Sequence, residues 1–182
     1  AAHFARIAAV SSGPISLARA HYWLGRTAEA GGPGEAKQEY RRAAAHGTAF
    51  YGQLAAARLG QNTIVAGYPE PTAADRGRFA GREIVAAIDR LERAGHGWRA
   101  DVLYRGLAGE LTSPGEIALL AARAQGRGNH FLALKISKIA AARGIDTGAL
   151  AYPLGAIPPS ADVAEAGKAL AYAVARQESE FN

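Results

Sequence analysis

The chain of 182 residues has no cysteine, which excludes a disulfide framework and any cysteine-based zinc site and leaves the compartment open. β-Branched residues are few, and no uninterrupted apolar run approaches the roughly 20 residues that a bilayer-crossing helix requires. The usual catalytic signatures are also missing. There is no His-Glu-x-x-His, no Gly-x4-Gly-Lys loop and no Gly-x-Ser-x-Gly elbow, and Gly126-Arg127-Gly128 is too short and wrongly placed to cradle a phosphate. The five histidines are dispersed with no pair at i, i+4 spacing, so they predict no metal site, and nothing implies a cofactor. Basic blocks are lacking too. The formal charge is +5, yet Arg41-Arg42 is the one adjacent basic pair and no run of cations with interleaved aromatics marks a strand-binding groove. A solvated, arginine-biased surface without nucleic-acid binding is expected.

What is present reads as helix. With 49% apolar and 20% charged residues the chain is globular rather than disordered, and alanine is abundant while Gly and Pro fall in punctuating clusters. The expected helices run over Ala1 to Val10, from Pro14 to about Ala30, from Glu35 to His46, and from a Thr48 cap to Leu59 before Gly60. Residues 61–71 are irregular. Helix resumes from Thr72 to Ala94 with a break near Gly81, and then from Trp98 to Gly109 with Val102 and Leu103 inward and Tyr104 at the seam. Ser113-Pro114-Gly115-Glu116 predicts a capping box, and Asn129 caps a helix ended by Gly144. Leu24-Gly25 followed by Ala36, Tyr40 and Ala43 approximates a tetratricopeptide pattern, with small residues at a helix crossing and Trp23 and Tyr40 as core aromatics. The second irregular segment, Ile145 to Pro159, sets the expected boundary between units 1–155 and 156–182.

The last stretch, Ala161 to Asn182, carries the chemistry. Asp162-x-x-Glu165 can open it as a capping box, and period 3.6 aligns Val163, Gly167, Leu170, Ala171, Val174, Glu178 and Phe181 on one side. One carboxylate thus interrupts an apolar stripe. Burial, and the negative end of the helix dipole, would both raise the pKa of Glu178 toward the range of a general acid; the other reading of the same pattern is a partly exposed carboxylate on a fraying last turn.

Arg176-Gln177-Glu178-Ser179-x-Phe181-Asn182 resembles the first catalytic motif of the soluble lytic murein transglycosylases. Upstream, His21-Tyr22-Trp23-Leu24-Gly25-Arg26, Tyr40-Arg41-Arg42-Ala43-Ala44 and Phe50-Tyr51-Gly52-Gln53-Leu54 through Gly60 resemble the helical linker domain that precedes catalysis in that family. The resemblance implies an all-α fold, a right-handed superhelical array of helix pairs followed by the first helix of a truncated lysozyme-like domain. It implies a periplasmic enzyme whose partners are peptidoglycan glycan strands and other cell-wall proteins. Glu178 would be the sole catalytic acid and base, with Ser179 supporting its carboxylate. The later sugar-binding motifs of the family lie beyond these residues, so the chain is expected to be a fragment that is inactive by itself. The alternative is a helical-repeat interaction module without catalysis.

Overall fold

The computed structural model describes residues 1–61, 67–163 and 167–181. Among them every regular element is helical, as the alanine-rich, glycine-punctuated sequence predicts. No helix among them is long and apolar enough to cross a membrane. The chain separates into two compact units, Ala1–Gly67 and Tyr68–Asn182.

The first unit holds α1 (Ala2–Val10), α2 (Pro14–Glu29), α3 (Ala36–Ala44) and α4 (Phe50–Arg58). Its centre is α2, which packs on the other three. Pro14 occupies the first helical turn, where a missing N–H costs nothing. Tyr22 of α2 clusters with Tyr40 and Ala43 of α3 and Ala55 of α4, and Gly25 of α2 lies against the Tyr40 ring. The approach is close because the crossing residues are small. A Cβ on Gly25 would stand 2.7 Å from Tyr40 Cε1, and one on Gly52 would stand 2.1 Å from the His46 carbonyl oxygen.

Two expectations for this unit fail. Trp23 is exposed rather than core, because its neighbours Tyr22 and Gly25 take the buried face of α2; its ring lies at the edge, 6.0 Å from Phe4 and 6.3 Å from Tyr51. The α4 helix starts at Phe50 with Ala49 in the cap position, so Thr48 does not cap it.

The second unit contains α5 (Ala73–Ala80), α6 (Glu83–Arg93), α7 (Gly97–Glu110), α8 (Pro114–Gly126), α9 (His130–Ala142), a 3-10 turn at Gly148–Ala151 and α10 (Lys168–Glu178). The break between α5 and α6 falls at Gly81, as the sequence predicts. Its core gathers Ile88, Tyr104, Leu107, Ile117, Leu120 and Leu132 among others, each worth about 1.5–3 kcal/mol of burial. The two chain reversals around α7 and α9 use the same device. Gly95 and Gly128 take φ of 77° and 74°, which lets the next amide reach back to Leu91 and Ala124 carbonyls at 2.8 and 3.0 Å. Asn129 then caps α9 by accepting from the Leu132 amide at 2.9 Å.

The inward face of α7 differs from expectation. Tyr104 is fully buried and donates to Glu92 at 2.7 Å, whereas Val102 is 57% exposed. A large ring whose hydroxyl finds a partner wins the core over a valine about 200° away on the same helix. The capping box at α8 also fails. Ser113 stands at the cap position but donates its hydroxyl to Asp75 at 2.6 Å, and Glu116 turns to Arg82. The position 155/156, expected as a boundary, lies inside this second unit.

Candidate functional site

Glu178 ends α10, a helix that buries none of its residues. The helix opens at Lys168 after Gly167, whose φ is 76°, so Asp162 is not its cap; Glu165 lies outside the described residues. Its attachments all fall on one side. The Tyr172 hydroxyl accepts from the Gly155 and Ile157 amides at 2.9 and 3.3 Å. Arg176 donates to the Ala151 carbonyl at 2.7 Å and lies 4.8 Å from the Tyr152 ring centroid. Glu180 accepts from Lys138 at 2.5 Å and from Lys135 at 3.2 Å, both on α9. Positions 172 and 176 share one face of α10, with Glu180 beyond its last turn, and 170, 174 and 178 lie roughly opposite.

The opposite side is therefore the open one. Leu170 is 55% exposed and Val174 52% exposed, and Glu178 follows them into solvent. Of the two readings of Glu178, buried in an apolar stripe or exposed on the last turn, the structure has the exposed one. The apolar stripe exists as the periodicity requires, but it faces outward, because polar and ionic anchors hold the other face of the helix. The carboxylate has no hydrogen-bond or ion-pair partner among the described residues.

Ser179 serves the backbone. Its hydroxyl donates to the Ala175 carbonyl at 3.0 Å and accepts from the Phe181 amide at 3.2 Å. It makes no bond to Glu178. Glu180 and Phe181 follow in the left-handed region with φ of 54° and 65°, a conformation that costs non-glycine residues about 1–3 kcal/mol each. The two lysines and a ring contact of Phe181 with Tyr172 at 5.8 Å hold them there. Lys138, with Lys135 beside it, keeps Glu180 below the usual carboxylate value. Asn182 of the motif lies outside the described residues.

Two carboxylates in the second unit are far better buried, and neither is free to react. Asp75 accepts from Ser113 and Thr72 hydroxyls, both at 2.6 Å, from the Thr72 amide at 2.9 Å and from Arg78 at 2.5 Å. Those bonds, Ser113 foremost, lower its pKa to about 2. Glu116 takes a two-pronged grip from Arg82 at 2.9 and 3.1 Å. A third cluster joins α6, α7 and α8: Arg123 bonds to Asp89 and to Glu92, and Arg127 pairs with Glu92 at 3.2 Å and Asp101 at 3.1 Å. All three sets tie helix to helix. The capping-box spacing Thr72-x-x-Asp75 was a legible sign of the first; nothing local announces the others, whose partners lie 26 to 35 positions apart. Among the described residues no group of three or more His, Asp or Glu could hold a metal ion.

No protein-family model matches the chain, no curated protein matches it, and no solved structure matches it.

Proposed function

We propose that the chain is the helical linker portion of a periplasmic lytic transglycosylase together with the first helix of its lysozyme-like domain, and that Glu178 is its acid and base. One observation carries this reading. The helix that ends in Arg176-Gln177-Glu178-Ser179 is anchored by its polar face and presents Leu170, Val174 and Glu178 outward, the surface that the wall of a cleft would cover. On this reading units 1–155 and 156–182 differ in role, and the helix pairs of the array wind as a right-handed superhelix.

The chemistry needs one carboxyl group. Protonated Glu178 donates to the glycosidic oxygen between N-acetylmuramic acid and N-acetylglucosamine as the C1–O bond breaks. The resulting carboxylate takes the proton of the muramic C6 hydroxyl, whose oxygen closes on C1 to give the 1,6-anhydro product without consuming water. This differs from the two-carboxylate scheme of most glycosidases. Glu180 supplies no second carboxylate, since Lys135 and Lys138 occupy it. A covering wall is also what would desolvate Glu178 and give it a pKa suited to donation.

The test is digestion of purified peptidoglycan sacculi by this chain and by the full product of its gene, with 1,6-anhydro muropeptides measured by mass spectrometry. This chain alone should release none. The full product should release them, and Glu178→Gln should abolish release with helicity unchanged. Turnover retained in that variant, or absent from the full product, removes the assignment.

The exposure of Glu178 favours one second reading, a helical-repeat module that holds a protein or peptide without cleaving anything. It requires an indifferent Glu178 and binding without turnover.

A further inference from the structure

The turn between α6 and α7 puts a large aromatic and several cations into water together. Trp98 is 69% exposed, and Val102, one helical turn later, is exposed beside it. The Arg99 guanidinium lies 5.0 Å from the Trp98 ring centroid. Arg90, Arg93 and Arg99 are all exposed and have no acidic partner among the described residues. This is a consequence of how the acids are spent. Asp89, Glu92 and Asp101, which could neutralise them, are paired with Arg123 of α8 and with Arg127 just after it.

The platform is also held firmly. Gly97 allows Arg127 to press against the start of α7, where a Cβ would meet Nη2 at 2.6 Å. Arg127 is fixed in turn by Glu92 and Asp101. The indole therefore stands on a backed turn, and its exposure is built in by the packing behind it. Exposed tryptophan and arginine on an ordered element are the residue types that dominate binding energy where surfaces meet ligands.

We propose that this turn is a second attachment site for the glycan polymer, separate from Glu178, in which a sugar ring lies on Trp98 and peptide-stem carboxylates pair with Arg93 and Arg99. It rests on the transglycosylase reading for the identity of the polymer. Charge complementarity decides the occupant: the patch is cationic, so the ligand is anionic. The single platform decides against a nucleic acid. Strand binders stack successive bases on successive aromatics, and here one exposed ring stands without a second beside it among the described residues.

The chain itself is titrated with soluble glycan strands bearing peptide stems, with amidase-stripped strands, and with an oligothymidylate. Only two tryptophans are present, so a Trp23→Phe background leaves Trp98 as the sole fluorescent reporter. Stem-bearing strands should change its emission, stripped strands should bind more weakly, and added salt should weaken the former. Trp98→Ala, followed by the anisotropy of dye-labelled strands because it lacks the reporter, and the pair Arg93→Gln/Arg99→Gln, all at exposed positions, should each weaken binding about tenfold. Unchanged affinity in both the tryptophan and the arginine variants, no strand binding at all, or tighter binding of the oligothymidylate would overturn the proposal. The two ideas fail separately. Turnover retained by Glu178→Gln in the full gene product removes the cleavage reading, whereas strand binding indifferent to Trp98 removes only this one.

Discussion

Lys138 Nζ stands 2.5 Å from Oε1 of Glu180, and this contact, seconded by Lys135 at 3.2 Å, fastens the end of α10 to α9. The residue two places before it, Glu178, is left in solvent. Of these two carboxylates one is thus tied to α9 and the other is exposed.

Glu180→Gln should loosen α10 without unfolding the unit. Hydrogen exchange of the α10 amides should quicken several-fold, and global stability should move by less than about 1 kcal/mol, the usual scale for partly exposed ion pairs. The lysines lower the Glu180 pKa from 4.5, so the anchor is complete above that value and fades as pH falls below it. Protection of α10 should follow the same trend, and protection independent of pH would refute the anchor.

Three glycines rank by what a methyl group would meet. Gly52→Ala forces a contact with the His46 carbonyl and Gly25→Ala a contact with the Tyr40 ring. Each should destabilise the first unit by about 1–3 kcal/mol, with Gly52 worse because backbone yields less than a ring. Gly106→Ala in α7 meets nothing within 4 Å and should stabilise the second unit by about 0.5–1 kcal/mol. Urea unfolding reads them separately, since Trp23 lies in one unit and Trp98 in the other.

Asp75 makes the second unit sensitive to acid. Its pKa falls from 3.8 to about 2 on folding, a depressed value, so the stabilisation is fully present above 3.8 and is lost as pH descends toward 2. Unfolding followed by Trp98 emission should show this slope. Asp75→Asn should flatten the slope over that interval and lower stability at neutral pH.

Glu116 is 2% exposed and Arg82 about a third exposed. Glu116→Ala leaves the guanidinium without its partner and should cost about 2–3 kcal/mol. The double change Arg82→Met/Glu116→Leu should recover most of that loss, because replacing both members of a buried pair removes the desolvation burden along with the attraction. Calorimetric melting of the four proteins in the cycle measures the coupling; no recovery would mean that the pair has no such balance.

Much of the architecture was legible because its causes are local. Gly60, Gly81, Gly95 and Gly128 mark ends of helices or the step after them, and Pro14 and Asn129 mark beginnings. The small crossing residue Gly25 and the core position of Tyr40 were legible from spacing as well. The misreadings concern partners supplied from elsewhere. Ser113 has the right neighbours for a capping box, yet Asp75 offers its hydroxyl a charged acceptor. Val102 fits an inward pattern that Tyr104 takes over because Glu92 is in reach of its hydroxyl.

The order of residues by itself determined that this chain is helical, where most of its helices stop, and that Leu170, Val174 and Glu178 share one face of the last one. Those properties follow from backbone propensity and a fixed rotation per residue. Only the tertiary structure decided which way that face looks. Tyr172, Arg176 and Glu180 found carbonyl, amide and ammonium partners distant in sequence, and those contacts fixed the rotation of the helix about its axis, turning the carboxylate and its apolar neighbours to the solvent.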